Sequence, residues 1–173
     1  YALLFAVLAK TGLRPSEALA LRGEDVEGTR VRVERALVRG QLKATKTEQA
    51  RWVDLPDGLA RNLPRGAGQC FTTPAGSLLD PSKVGKAFRA CLKKAHLGHH
   101  RLYDLRHTYA CLRLAAGAPI TYVAQQMGHA TPATTLRHYA RWIPSGGREW
   151  VERDVGATVG GMPADNVRQK RAK

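Results

Sequence analysis

Leu3, Leu4, Val7 and Leu8 recur at intervals of three and four near the start of the chain, the spacing of one helical face. The segment TGLRPSEAL then puts a glycine in a turn, with Pro15 and Glu17 in the first turn of a new helix. Two short helices joined by a tight turn are expected. From Thr29 to Leu37 the pattern changes to strict alternation, TRVRVERAL, and Gln49 to Leu55 is a second extended segment, with the polar run Gly40 to Glu48 between them. This predicts a β-hairpin with a basic tip, alone or within a three-stranded sheet.

Helical spacing returns in PSKVGKAFRACLKKA, Pro81 to Ala95, where Val84, Phe88, Cys91, Leu92 and Ala95 make an apolar stripe opposite lysines and arginines. Beyond the polar loop His96 to Arg101, a helix from about Tyr103 to Ala116 stops at Gly117, and another around Ile120 to Met127 stops at Gly128. Thr131 and Pro132 fit the cap and first turn of one more helix, which carries Tyr139. After Ile143 come SGG, a short helix-like segment near Trp150, a Gly-rich patch and the basic end VRQKRAK, so a tail that is mobile or held by another molecule is expected. The fold class is mainly α with a small antiparallel β-sheet, organised as one α+β domain over 1–145 and a tail over 146–173.

Charge narrows the function. The 173 residues hold 28 Lys plus Arg against 14 Asp plus Glu, a formal +14, which points to a polyanionic partner. Arg30 to Arg51 contains seven basic and two acidic residues, and Lys83 to Arg106 seven basic and one acidic. Clustered charge of this kind releases condensed counterions from nucleic acid, so binding should weaken steeply with salt. Lys43, Arg51, Lys83, Lys86 and Arg101 are the expected phosphate contacts. A membrane is disfavoured as the partner, because the most apolar stretch, Tyr1 to Ala9, is far short of the roughly 20 residues a spanning helix needs. No basic leader or cleavage pattern marks a signal peptide, so a cytoplasmic location is expected. Cys70, Cys91 and Cys111 form no CxxC pair and no even framework, and are expected reduced, with at least two of them helping to fill the core. The chain opens at Tyr1 inside an apolar helix, and further sequence upstream is expected.

Three segments carry candidate chemistry. Arg14 lies where a turn enters a helix, a position from which it can bind a phosphate bidentately or pair with Glu17. In LYDLRHTY, Leu102 to Tyr109, Tyr103 and Arg106 are three apart and project from one face, Leu102, Leu105 and Tyr109 fall toward the other, and His107 is displaced from Arg106 and reads as structural. In MGHATPATTLRHY, His129 sits at a helix stop ten residues before Tyr139. A tyrosine near an imidazole and an arginine suggests a nucleophile, although a lone Tyr also serves as an amphipathic core residue.

In order, TGLRPSEAL, TKT, DLRHTYA, MGHATPATT and HY resemble the catalytic domain of the tyrosine recombinase, or phage integrase, family, over Tyr1 to about Trp142. The resemblance implies that Arg14 and Arg106 clamp a scissile phosphate, that Lys46 on the hairpin is the general acid for the departing 5′ oxygen, with Lys43 its nearest competitor, and that His129 completes the site. It implies Tyr139 as nucleophile, Glu17 as an orienter of the first arginine, and a 3′-phosphotyrosyl intermediate on double-stranded DNA, with no cofactor, metal ion or ATP. It also implies self-association on DNA in a tetrameric synapse, with accessory proteins as further partners. The chemistry is physically coherent: fixed guanidinium donors stabilise charge developing on nonbridging oxygens. A free tyrosine is ionised only about once in a thousand at pH 7, roughly 4 kcal/mol that the site must offset.

The chain departs from the family at Tyr103, where histidine is usual three residues before the second arginine. A phenol donates one hydrogen bond but carries no positive charge and shuttles no proton near neutrality. His99 and His100 lie in the preceding loop and are not expected to replace it, and His96, His99 and His100 lack a fourth ligand at a zinc-like spacing. Two other functions remain open, a type IB topoisomerase that relaxes DNA by similar chemistry and a DNA-binding module that has lost catalysis.

Overall fold

The computed structural model describes residues 1–44 and 50–144. Helix α1 (Ala2–Thr11) buries Leu4, Val7 and Leu8 and ends at Gly12, whose φ of 67° is the left-handed conformation that glycine adopts without strain. Thr11, also buried, donates its hydroxyl to the Val7 carbonyl at 2.6 Å, so no polar group is stranded. The short α2 (Pro15–Ala18) follows after three residues, as the sequence predicts.

A 3-10 turn, Gly23–Asp25, leads into β1 (Val26–Glu27), which pairs antiparallel with β2 (Arg30–Val33), itself paired antiparallel with β5 (Arg51–Asp54). Val31 and Val53 face each other in the core, while Arg30 and Trp52 on the outer face stack as a cation and a ring 5.0 Å apart. The single strand expected from Thr29 to Leu37 is in fact two. The chain breaks at Glu34, and β3 (Arg35–Val38) leaves the first sheet to pair with β4 (Gln41–Ala44) in a separate two-stranded ribbon. The ribbon turns at Arg39 and Gly40, with φ of 50° and 78°, a turn whose twist matches antiparallel strands. Gln41 to Ala44, expected to belong to a polar tip, are thus an exposed strand, and the remaining tip residues, Lys46 among them, lie outside the described residues.

Helix α3 (Asp57–Asn62), too short to show a period in sequence, closes one side of the sheet with Leu59 and Ala60. Helix α4 (Pro81–Lys94) is capped by Asp80, whose carboxylate accepts from Ser82 N–H at 2.8 Å. Only Val84 and Phe88 of its apolar stripe are buried, and Cys91 and Ala95 are exposed, because nothing among the described residues covers them. Helices α5 (Asp104–Ala115), α6 (Ile120–Met127) and α7 (Pro132–Tyr139) follow, then a 3-10 turn, Ala140–Trp142. The expected tail over 146–173, including Trp150, lies outside the described residues.

Two apolar clusters result, one around α1, the three-stranded sheet and α4, and a smaller one of Tyr109, Ala110, Leu114, Val123, Met127 and Tyr139. Helix α5 spans both, with Leu105, and Leu102 just before the helix, against the first and Tyr109 inside the second. Cys70 is buried in the first cluster and Cys111 flanks the second, whereas Cys91 takes no part in either. Among the described residues no helix is long and apolar enough to cross a membrane.

Gly12 is where the two clusters meet, since a Cβ there would lie 2.4 Å from the Tyr109 ring. Gly12→Ala therefore combines left-handed strain with overpacking and should cost roughly 2–5 kcal/mol, read from urea unfolding. The loss should shrink in a Tyr109→Leu background, where the ring is gone.

Candidate active site

Arg14 is the residue immediately before α2, with extended φ and ψ of −66° and 144°. Pro15 at the first helical position has no N–H to satisfy, and Glu17 reaches back to accept the Arg14 backbone N–H at 2.8 Å and its Nη1 at 2.9 Å. Of the two readings open in the sequence the structure shows the pair with Glu17, and the Arg14 side chain stays 39% exposed. Glu17 is deeply buried, and its carboxylate also receives a bidentate pair from Arg51 of β5, at 3.1 and 2.8 Å. Burial pushes the Glu17 carboxyl up, and the hydrogen bonds and charges of Arg51 and Arg14 outweigh it, so the group ends below the usual carboxylate range.

Arg51 was expected among the surface phosphate contacts, and its position is different. Its guanidinium turns inward, held by Glu17 and, through Nε, by the Gln126 carbonyl at 3.2 Å. It passes directly beneath Gly128, where a Cβ would sit 2.7 Å from its Cζ. This explains the glycine at the end of α6 twice over, by its φ of 66° and by the arginine against it.

Arg106 on α5 is almost wholly buried, with 1% of its surface exposed. Nη1 donates to the Gly12 carbonyl at 2.5 Å and Nη2 to the Met127 carbonyl at 2.7 Å, so the side chain joins the C-terminal ends of α1 and α6. Both carbonyls are at the negative poles of helices, which suits a cation. Burial, with Arg14 adding to it, lowers the Arg106 pKa to about 10, which leaves it charged at neutral pH. Arg14, Arg51 and Arg106 thus bring three cations around one buried carboxylate. The excess positive charge has no protein partner among the described residues, and an anion would relieve it.

His129 follows the left-handed Gly128, and its Nδ1 lies 2.7 Å from the Thr135 hydroxyl of α7, while Nε2 has no hydrogen-bond partner among the described residues. Burial, then the charges of Arg106, Arg14, His138 and Arg51, push its pKa down to about 4. At neutral pH it is an uncharged hydrogen-bonding group beside the arginines.

Tyr139 ends α7 and is 4% exposed, its ring in the second apolar cluster. Its hydroxyl lies 2.6 Å from Nδ1 of His107. His107, read as structural from its offset on α5, thus meets a side chain of α7. Tyr103 is exposed at the start of α5, and its ring meets His107 edge-on at 5.4 Å instead of lying alongside the buried Arg106. Tyr103 also lines, with Arg14, Arg89, His99, His100 and Arg101, an open cleft of about 580 Å³. Lys43, Lys83 and Lys86 are exposed on β4 and α4, and Arg101 is exposed and paired with Asp104 at 3.0 Å. Arg89 and the two histidines were not among the sequence candidates, and only the seating of the 96–101 loop against α4 brings them to the cleft. Among the described residues no three His, Cys, Asp or Glu side chains are grouped to hold a metal ion.

Residues 1–143 match the Phage integrase family. The chain belongs to that family. It is 28% identical over 177 residues to the tyrosine recombinase XerC-like protein of Caldanaerobacter subterraneus subsp. tengcongensis, covering 82% of this chain and 45% of that protein. It is 29% identical over 150 residues to the integrase of Salmonella phage P22, covering 78% and 37%. The chain spans less than half the length of these curated relatives. Among solved structures it resembles the catalytic domain of bacteriophage HP1 integrase, with a TM-score of 0.64 and 24% identity over 95% of this chain and 83% of that one. It also resembles the Tn1549 transposon integrase in complex with a circular intermediate DNA, with a TM-score of 0.71 and 21% identity over 88% and 57%. The fold is that of a tyrosine recombinase catalytic domain.

The depressed His129 pKa carries a stability signature. The unfolded chain binds a proton near pH 6.5 that the folded chain refuses until about pH 4, so stability falls as pH drops through that window. His129→Gln should flatten that part of the slope in urea unfolding measured from pH 7 to pH 4.

Proposed function

We propose that this chain is the catalytic portion of a site-specific DNA recombinase, which cleaves and rejoins DNA through a 3′-phosphotyrosyl link to Tyr139, without metal or ATP. The observation that carries the reading is the excess of buried guanidinium charge around Glu17 in a member of the phage integrase family. A scissile phosphodiester supplies the missing anion. Arg14 and Arg106 hold its nonbridging oxygens and gain strength as charge develops there in the transition state. Glu17 and Arg51 fix the direction of Arg14. His129, neutral and tied to Thr135 through Nδ1, presents Nε2 to the same phosphate. Lys46 protonates the departing 5′ oxygen, with Lys43 as the competing donor. The phosphodiester energy is kept in the tyrosyl bond, so a new 5′ hydroxyl re-forms DNA by reversal of the same steps.

Lys43, Lys83, Lys86 and Arg101 provide sequence-independent contact with the duplex backbone, and affinity should fall steeply between low and physiological salt. Arg51 acts within the site. Self-association in a tetrameric synapse, accessory proteins and action on the bacterial nucleoid in the cytoplasm complete the proposal. Tyr103 favours one competing reading, a DNA-binding module without catalysis, because a phenol replaces the usual imidazole there.

A nicked suicide substrate tests both. The chain should form an SDS-resistant protein–DNA band that Tyr139→Phe abolishes, and Arg14→Ala should slow its formation by about 10²- to 10³-fold. A band surviving Tyr139→Phe excludes Tyr139 as the nucleophile, and salt-dependent binding with no band on any substrate supports the non-catalytic module.

A further inference from the structure

The hydroxyl of Tyr139 is the one polar atom of a ring otherwise enclosed by apolar neighbours, and the group it meets is Nδ1 of His107 at 2.6 Å. The imidazole is exposed and stands between two phenols, with the Tyr103 ring at 5.4 Å and the Tyr139 ring at 5.8 Å. Resting on the assignment of Tyr139 as nucleophile, we propose that His107 is the general base of this enzyme, taking the Tyr139 proton on its Nδ1 as the phenolic oxygen attacks phosphorus. It thereby supplies the acid–base group that the chain lacks at Tyr103.

The step balances. The Tyr139 oxygen forms a bond to phosphorus and its proton passes to His107. The bond from phosphorus to the 5′ oxygen breaks, and that oxygen takes a separate proton from the general acid on the hairpin side. In rejoining, the 5′ hydroxyl attacks the phosphotyrosine and the His107 imidazolium returns its proton to the departing phenolic oxygen. For the forward step His107 must be neutral, with its proton on Nε2 and the Nδ1 lone pair toward Tyr139. Burial pushes the Tyr139 phenol above its ordinary value, opposed by Arg106, so the hydroxyl arrives protonated and a base has work to do at neutral pH.

The surroundings fit a group that gains a positive charge. Asp104 stands one turn earlier on α5, near enough that the His107 charge contributes to holding its carboxyl below the usual range, after the larger effect of its bonds from Arg101. Cys111 stands one turn later, and His100 lies across a cavity of about 380 Å³ that these residues line with Trp142. From the following segment, His138 packs edge-on against Tyr139 at 6.2 Å and Arg141 stands near Cys111. Asp104 is the anionic member of this set.

Adduct formation by the full chain, followed in single turnover from pH 5.5 to 9, tests the role. The wild-type rate should rise with pH and then level. His107→Asn keeps a hydrogen-bonding group beside Tyr139 but accepts no proton; it should be slower by about 10²- to 10³-fold, and its rate should still climb where the wild type has levelled. His107→Ala opens the adjoining cavity, and added imidazole should restore part of its rate in proportion to the neutral buffer species. Wild-type rates in His107→Asn, or slow rates in both variants with an unchanged pH profile and no imidazole rescue, would overturn the role while leaving Tyr139 as nucleophile. If the wild type forms no adduct with any substrate, the cleavage reading fails first and the base role with it.

Discussion

A single buried guanidinium holds this fold and its site in the same place. Arg106 reaches from α5 to the last carbonyls of two other helices, Gly12 after α1 and Met127 at the end of α6. Each carbonyl is a helix-terminal acceptor without an intrahelical donor, and without Arg106 both would be buried and unpaired. The arginine is therefore a structural tie before it touches any ligand. Among the described residues its charge is compensated by helix poles and, at a remove, chiefly by Glu17, which keeps the centre of the domain electropositive.

The remaining features follow from that centre. Glu17 is buried because two arginines need it, and Arg51 lies beneath Gly128 because a side chain there would displace it. His129 is held neutral by burial first, and then by the charges of Arg106, Arg14, His138 and Arg51. Tyr139 has its ring in the second apolar cluster, with its hydroxyl against His107. Helix α5 carries both Arg106, which ties Gly12 to Met127, and His107, which meets the Tyr139 hydroxyl.

Much of this was legible in sequence, for identifiable reasons. Helices α1, α5, α6 and α7 announce themselves through apolar spacing and through Gly12, Gly117 and Gly128, whose left-handed φ values end or follow them. Arg14, Glu17, Arg106, His129 and Tyr139 stand in short ordered motifs, and the fold brings Arg14, Glu17, Arg106 and His129 into one electrostatic neighbourhood. What escaped depends on long-range packing. The break at Glu34 cannot be read from an alternating run that continues on both sides of it, because only strand partners decide which sheet each half joins. Arg51 looks like any hairpin arginine until Glu17, 34 positions away, is seen to hold it. His107 was set aside on helical geometry alone, which describes its own helix correctly and says nothing of the helix that crosses it.

The central claim is that the electropositive centre delivers a DNA phosphate to Tyr139. Trypsin digestion of the trapped protein–DNA adduct, followed by mass spectrometry of the nucleotide-bearing peptide, tests it most directly. The account predicts the modification on the peptide His138 to Arg141, at Tyr139. A nucleotide on the peptide Leu102 to Arg106 instead, at the exposed Tyr103 beside the arginine cleft, would contradict it.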